Sequence, residues 1–178
     1  MSISTEKRIE QQEIFKGNVL HVTLDTVTIN DDRTATREVV WHPGASAVIP
    51  VLADGRVLLV RQYRYAVDQP LLEIPAGKLD NGEAPEICAK RELEEEAGIR
   101  CDTLIPLGSI YTSPGFSDEI IYLYLAKEMT ETATDWDDDE CMENEIYTPA
   151  EVFALIDEGK ISDAKTIAAF FRARKYMK

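Results

Sequence analysis

The sequence predicts an α/β fold: a mixed sheet packed between helices, preceded by an N-terminal β-hairpin region. Segments rich in β-branched residues come first, one acidic amphipathic helix interrupts them, more strands follow, and two apolar-striped helices end the chain. That order differs from the strict strand-helix alternation of a doubly wound parallel sheet. Neither Gly-x-Gly-x-x-Gly nor Gly-x-x-x-x-Gly-Lys-Ser/Thr occurs, which removes the dinucleotide-binding and P-loop variants. The 178 residues, 44% hydrophobic and 29% charged, are enough to bury the core of one domain.

Val19 to Ile29 is β-branched and roughly alternating, and Asn30-Asp31-Asp32 breaks it before a second strand, Thr36 to Trp41. These two form the N-terminal hairpin, so residues 1–43 are read as a strand region and 44–178 as the main domain. Ala45 to Leu52 and Val57 to Tyr63 flank Asp54-Gly55, a strong hairpin signal. Leu71 to Ile74 is short and apolar, and Pro75 to Gly82 is a turn-rich loop. Pro85 suits the first turn of a helix running to Ala97, with Gly98 as its stop. Thr103 to Thr112 and Ile120 to Ala126 are strands around a Ser-Pro-Gly loop, and Pro149 to Glu158 and Asp163 to Tyr176 have helical spacing.

The formal charge of -14 argues against a nucleic-acid partner held by basic patches. A small anion remains possible where a metal or local arginines neutralise it. No apolar run approaches the length of a membrane span, and the first residues do not read as a signal peptide. Cys88, Cys101 and Cys141 form no CxxC pair, which fits a reducing cytoplasm. His21 and His42 receive no catalytic role.

At about 100° per residue, Glu92, Glu95 and Glu96 share one arc of the predicted helix beside the apolar stripe of Ala89, Leu93 and Ala97. Like charges so close repel one another, and a hard divalent cation would relieve the repulsion; a solvated acidic helix would show the same short run. The longer pattern separates these readings. Gly77, Glu83 and Arg91-Glu92-Leu93-x-Glu95-Glu96-x-Gly98-Ile99 resemble the signature of the Nudix hydrolases at every specified position. Chance produces that match with an expectation on the order of 10⁻⁷ at average composition. Gly77 can let backbone approach the site, and Arg91 is placed to orient or neutralise a glutamate such as Glu83.

The resemblance implies a Nudix α/β/α sandwich in which Glu92, Glu95, Glu96 and the carbonyl of Ala76 hold Mg²⁺, with Mn²⁺ as a possible substitute. Such ions would neutralise a pyrophosphate and acidify the attacking water. Tyr111 to Glu119, Arg61-Gln62-Tyr63-Arg64, Leu72 to Gly77 and His42 to Ala45 are similar to the ADP-ribose pyrophosphatase branch of that family. That likeness implies a cytoplasmic homodimer joined through the N-terminal strand region, hydrolysing ADP-ribose to AMP and ribose 5-phosphate. It also implies substrate contacts at Arg37, Trp41, Arg61, Arg64, Glu73, Ser113, Gly115 and Glu119. Trp41 is equally placed as a stacking partner for adenine or as interface core, and Glu73 as a substrate acceptor or a carboxylate paired within the sheet.

Seven of the 11 residues from Asp135 to Glu145 are acidic, a composition that usually marks a solvated loop. Enzymes of the branch place a catalytic glutamate in such a segment. Glu140 is the first choice, with Asp138 and Glu143 next, and Glu95 is assigned to catalysis as well as to metal. Two alternatives stay open: hydrolysis of another nucleoside diphosphate sugar such as GDP-mannose, and a non-catalytic domain that senses a nucleotide sugar.

Overall fold

A computed structural model describes residues 3–30, 32–134 and 142–177. They form two compact units, residues 1–44 with 111–120, and residues 45–110 with 121–178.

The first unit is built on an antiparallel sheet of β1 (Glu6–Lys16), β2 (His21–Ile29) and β3 (Arg33–Trp41), in that order. Asn30 closes the predicted hairpin in the left-handed conformation, φ 52°, which asparagine tolerates better than most residues. β2 buries alternate residues, Thr23, Asp25 and Val27, as a half-buried strand should. β1 has no counterpart among the strands expected from the sequence, because all eleven of its residues are exposed and no period-2 pattern is written into them.

The second unit has three layers. Its four-stranded sheet runs β7 (Ala76–Lys78), β4 (Ala45–Pro50), β9 (Ile120–Glu131), β8 (Ile99–Tyr111). It is mixed, since β4 pairs antiparallel with β7 and parallel with β9. An antiparallel sheet, β10 (Met142–Tyr147), β5 (Val57–Arg64), β6 (Gln69–Glu73), lies alongside. Successive side chains of a strand point to opposite faces, and here the alternation sorts the core into two clusters. Ala45, Ala47 and Ile49 of β4, with Leu123 and Leu125 of β9, pack against Val152 of α2 (Pro149–Asp157) and Ala169 and Phe170 of α3 (Ala164–Ala173). Val48, Tyr124 and Ala126 face the other way, onto Ala89, Leu93 and Ala97 of α1 (Pro85–Ala97). β4 is therefore buried at every residue. Phe170 is fully buried and meets Phe153 edge to face at 6.0 Å; burying a side chain of that size stabilises by roughly 2 to 3 kcal/mol.

Three expectations need correction. The Asp54-Gly55 turn forms, with Gly55 at φ 85° and Leu52 N–H donating to the Arg56 carbonyl at 2.8 Å, but the flanking strands pair only at Val51 and Val57. Beyond that bridge β4 and β5 enter different sheets. The loop after Ile74 contains the short strand β7. The last four residues of the acidic run, 142–145, belong to strand β10, held by its ladder to β5 despite its polar composition.

Candidate metal-binding and substrate site

The helix that carries the acidic face is specified at both ends. Pro85 occupies its first turn, where a missing N–H costs nothing. Gly98 ends it at φ 67°, its N–H donating to the Glu94 carbonyl at 2.9 Å. A side chain at 98 would also crowd the Thr132 carbonyl, 3.1 Å from the position of a Cβ.

Burial of Ala89, Leu93 and Ala97 orients the helix and sets the carboxylates at the edge of its packed face, where Glu92 is 9% and Glu96 4% exposed. Ala76 N–H donates to Glu96 Oε2 at 2.9 Å, so β7 and the glutamate meet. Gly77 leaves room for a glutamate: a Cβ there would lie 1.9 Å from Glu92 Oε1, and the carboxylate would have to move.

Arg91 sits among the acids. Its Nε and Nη2 each donate to Glu83 at 3.0 Å, and its Nη1 donates to Glu92 at 2.7 Å and Glu95 at 2.9 Å. The bidentate pair holds the Glu83 carboxyl down to about 2, the Arg91 hydrogen bonds being the largest cause. On the buried side of the helix, desolvation pushes the Cys88 thiol up to about 11, and it donates weakly to the Gly77 and Lys78 carbonyls.

Among the described residues no three acidic, histidine or cysteine side chains are already drawn together as a ligand shell. The donor set nevertheless fits a hard divalent cation: oxygen donors only, two of them largely buried, and a glycine cradle that a Cβ would fill.

The predicted substrate residues divide into three groups. In the second unit, Arg64 donates to Glu73 through Nε at 2.8 Å and Nη2 at 2.7 Å, and Lys165 donates to the same carboxylate. Burial pushes Glu73 up, but Arg64 and Lys165 outweigh it and hold the group below the ordinary range. The Glu73 hydrogen bonds chiefly raise Arg64. Glu73 is thus paired within the fold through both of its oxygens. Arg61 is bound to Glu145, which also accepts from Tyr147.

In the first unit, Arg37 and Trp41 share a face of β3 and line a cavity of about 430 Å³ with Tyr111, Pro114, Gly115 and Phe116. The 113–119 loop docks on β3 through Val40 N–H to the Phe116 carbonyl at 2.8 Å and His42 N–H to Asp118 Oδ1 at 2.8 Å. Arg37 pairs with Glu6, and Trp41 Nε1 donates to Thr23 at 2.9 Å.

Ser113 and Glu119 do not line that cavity. The Ser113 carbonyl accepts from Phe116 and Ser117, and Glu119 accepts from the Thr112 hydroxyl at 2.6 Å, so both shape the turn. Glu140 and Asp138 lie outside the described residues, and Glu143 is exposed on β10. Sequence reasoning missed Lys165 and Glu145 as partners; their charges came with no local spacing to tie them to Glu73 or Arg61.

The family model for the NUDIX domain matches residues 40–170. A methanol dehydrogenase activator of Bacillus methanolicus is 43% identical over 92% of this chain and 90% of its own length. An ADP-ribose pyrophosphatase of Bacillus subtilis is 40% identical over the same shares, 92% and 90%. A solved structure of an ADP compounds hydrolase superposes with a TM-score of 0.86 over 99% of this chain and 96% of that one; at 19% identity it speaks to the fold alone. With a complete box spread over β7 and α1, carried by the matching sandwich, this chain belongs to the Nudix family.

Proposed function

We propose that this Nudix enzyme is a pyrophosphatase that hydrolyses ADP-ribose to AMP and ribose 5-phosphate. The reading is carried by the acidic face of α1 against Ala76 and Gly77, in a chain 40% identical over nearly its whole length to an ADP-ribose pyrophosphatase. Glu92, Glu95, Glu96 and the Ala76 carbonyl would hold Mg²⁺, with Mn²⁺ as a substitute, and the bound cation supplies charge neutralisation and a more acidic water. The chain's own residues do the rest. Ala76 N–H orients Glu96, and Arg91 keeps Glu83 ionised while holding Glu92 and Glu95 in place. Arg64, with one Nη free of hydrogen bonds to any described residue, is the phosphate contact. Arg61, Arg37, Trp41, Ser113, Gly115 and Glu119 complete the proposed substrate set, to which Glu73 belongs through its hold on Arg64, and Glu140 is the proposed base, ahead of Asp138 and Glu143.

The working form we propose is a cytoplasmic homodimer joined through residues 1–43. Free Cys88 and Cys101 support a reducing compartment, and among the described residues no helix is long and apolar enough to cross a membrane. The test is product analysis by anion-exchange chromatography with Mg²⁺ and, in parallel, ADP-ribose, GDP-mannose and NADH. Fast, metal-dependent AMP from ADP-ribose alone supports the reading. Preference for GDP-mannose moves the substrate and keeps the chemistry; cleavage of none leaves a sensing domain. The relative named a methanol dehydrogenase activator favours a second reading, stimulation of a dehydrogenase, checked by adding the chain to a methanol dehydrogenase assay.

A further inference from the structure

The first turn of α3 reaches the segment that leads into the metal-binding face. Lys165, 9% exposed, donates to Glu73 and lies 3.1 Å from Asp163 Oδ1. Glu73, 1% exposed, commits both oxygens to Arg64. One residue on, Ile74 N–H donates to Thr166 Oγ1 at 2.9 Å, while Thr166 N–H and hydroxyl donate to Asp163 at 2.9 and 2.6 Å to cap α3. Only Pro75 then separates Ile74 from Ala76, whose N–H meets Glu96 at 2.9 Å. The end of β6, the start of β7 and the helix α3 are thereby fastened at consecutive points.

Arg64 alone does not explain this arrangement. A carboxylate buried as deeply as Glu73 loses its hydration, and one half-exposed guanidinium compensates it incompletely. The second cation, from α3, pins the carboxylate. A pinned carboxylate in turn restricts a long arginine side chain that would otherwise lose much rotamer freedom on meeting a ligand.

We propose that Lys165 is a positioning residue for substrate binding: acting through Glu73, it fixes the Arg64 guanidinium for a substrate phosphate without touching the substrate. This rests on the proposed ADP-ribose hydrolysis with Arg64 as the phosphate contact.

The experiment is steady-state kinetics on ADP-ribose with Mg²⁺ for the full chain and its Lys165→Met, Arg64→Ala and doubly substituted forms. Lys165→Met should raise KM about tenfold with kcat within about twofold. In the Arg64→Ala background the same change should add less than about twofold, because the group it positions is gone. Lys165→Arg, which keeps a cation on Glu73, should return KM to within about threefold of wild type. Should Lys165→Met fail to fold, Glu73→Gln/Lys165→Met takes its place in the cycle with the same expected outcome, since it removes one charge of each sign and keeps the cluster neutral. An unchanged KM, or equal losses in both backgrounds, overturns the proposal while the functional reading stands. A wild-type chain that cleaves no ADP-ribose overturns that reading, and this inference with it.

Discussion

Two arginine–glutamate clusters lie within one unit of this molecule, and their charge balance differs. Around Arg91 one guanidinium meets three carboxylates, those of Glu83, Glu92 and Glu95, with Glu96 beside them on the same helix. Around Glu73 two cations, Arg64 and Lys165, meet two carboxylates, Glu73 and Asp163. The first cluster keeps a negative surplus, and holding like charges at that density costs free energy that a bound cation returns. The second is neutral, half of it is deeply buried, and its hydrogen bonds are internal, as suits a support that should not exchange partners. Surplus charge marks the place where a ligand is needed; balance marks the scaffold behind it.

Substitutions should separate the two clusters by what they damage. Glu96→Gln removes a charge from the surplus cluster and should lower kcat by orders of magnitude while leaving thermal unfolding of the metal-free chain nearly unchanged. Turnover close to wild type would remove Glu96 from the metal set. The same comparison has a readout without turnover: added Mg²⁺ should raise the Tm of the wild type and not of the variant, because only a ligand that binds the folded state stabilises it. Gly77→Ala should follow, with activity down about a hundredfold, since its Cβ would displace Glu92 and misplacement of about 1 Å costs that much.

The balanced cluster should answer mainly in stability and its pH dependence. Arg64 and Lys165 overcome the effect of burial and hold Glu73 below the ordinary carboxylate value of 4.5. A carboxylate lowered in the folded state stabilises fully above that value, and the contribution disappears as pH falls through the folded value. Urea melts across the acid range should therefore show Glu73→Gln with a shallower loss of stability below pH 4.5 than the wild type; parallel curves would remove Glu73 from the account. The smallest effect belongs to neither cluster. Thr148 caps α2 in a reciprocal pair with Glu151, and Thr148→Ala should cost about 1 kcal/mol in thermal denaturation with unchanged kinetics.

The surplus cluster was readable in the chain because a helix converts spacing directly into a face. Glu92, Glu95 and Glu96 need only three to four residues per turn to come together, and Pro85 and Gly98 mark where that turn count starts and stops. The balanced cluster was half legible. Arg64 and Glu73 lie on adjacent strands joined by a short turn and only nine residues apart, but Lys165 joins them from 92 residues away, a distance no local period encodes. β1 and β10 were missed for a related reason. One has every residue exposed and the other sets two glutamates and an asparagine among its six residues, so both depend on ladders to β2 and β5 rather than on a pattern of their own.

Composition, helical period and box spacing were enough for the fold class, the Nudix family and the carboxylates of α1, since each depends on contacts short in sequence. Which cation neutralises Glu73, why a side chain at 77 would displace Glu92, and where the strands around Asp54-Gly55 part company depend on groups brought together by the packed sheets. Burial makes such contacts decisive: a charge or a Cβ without room or partner costs far more inside the fold than the chain's local preferences can offset.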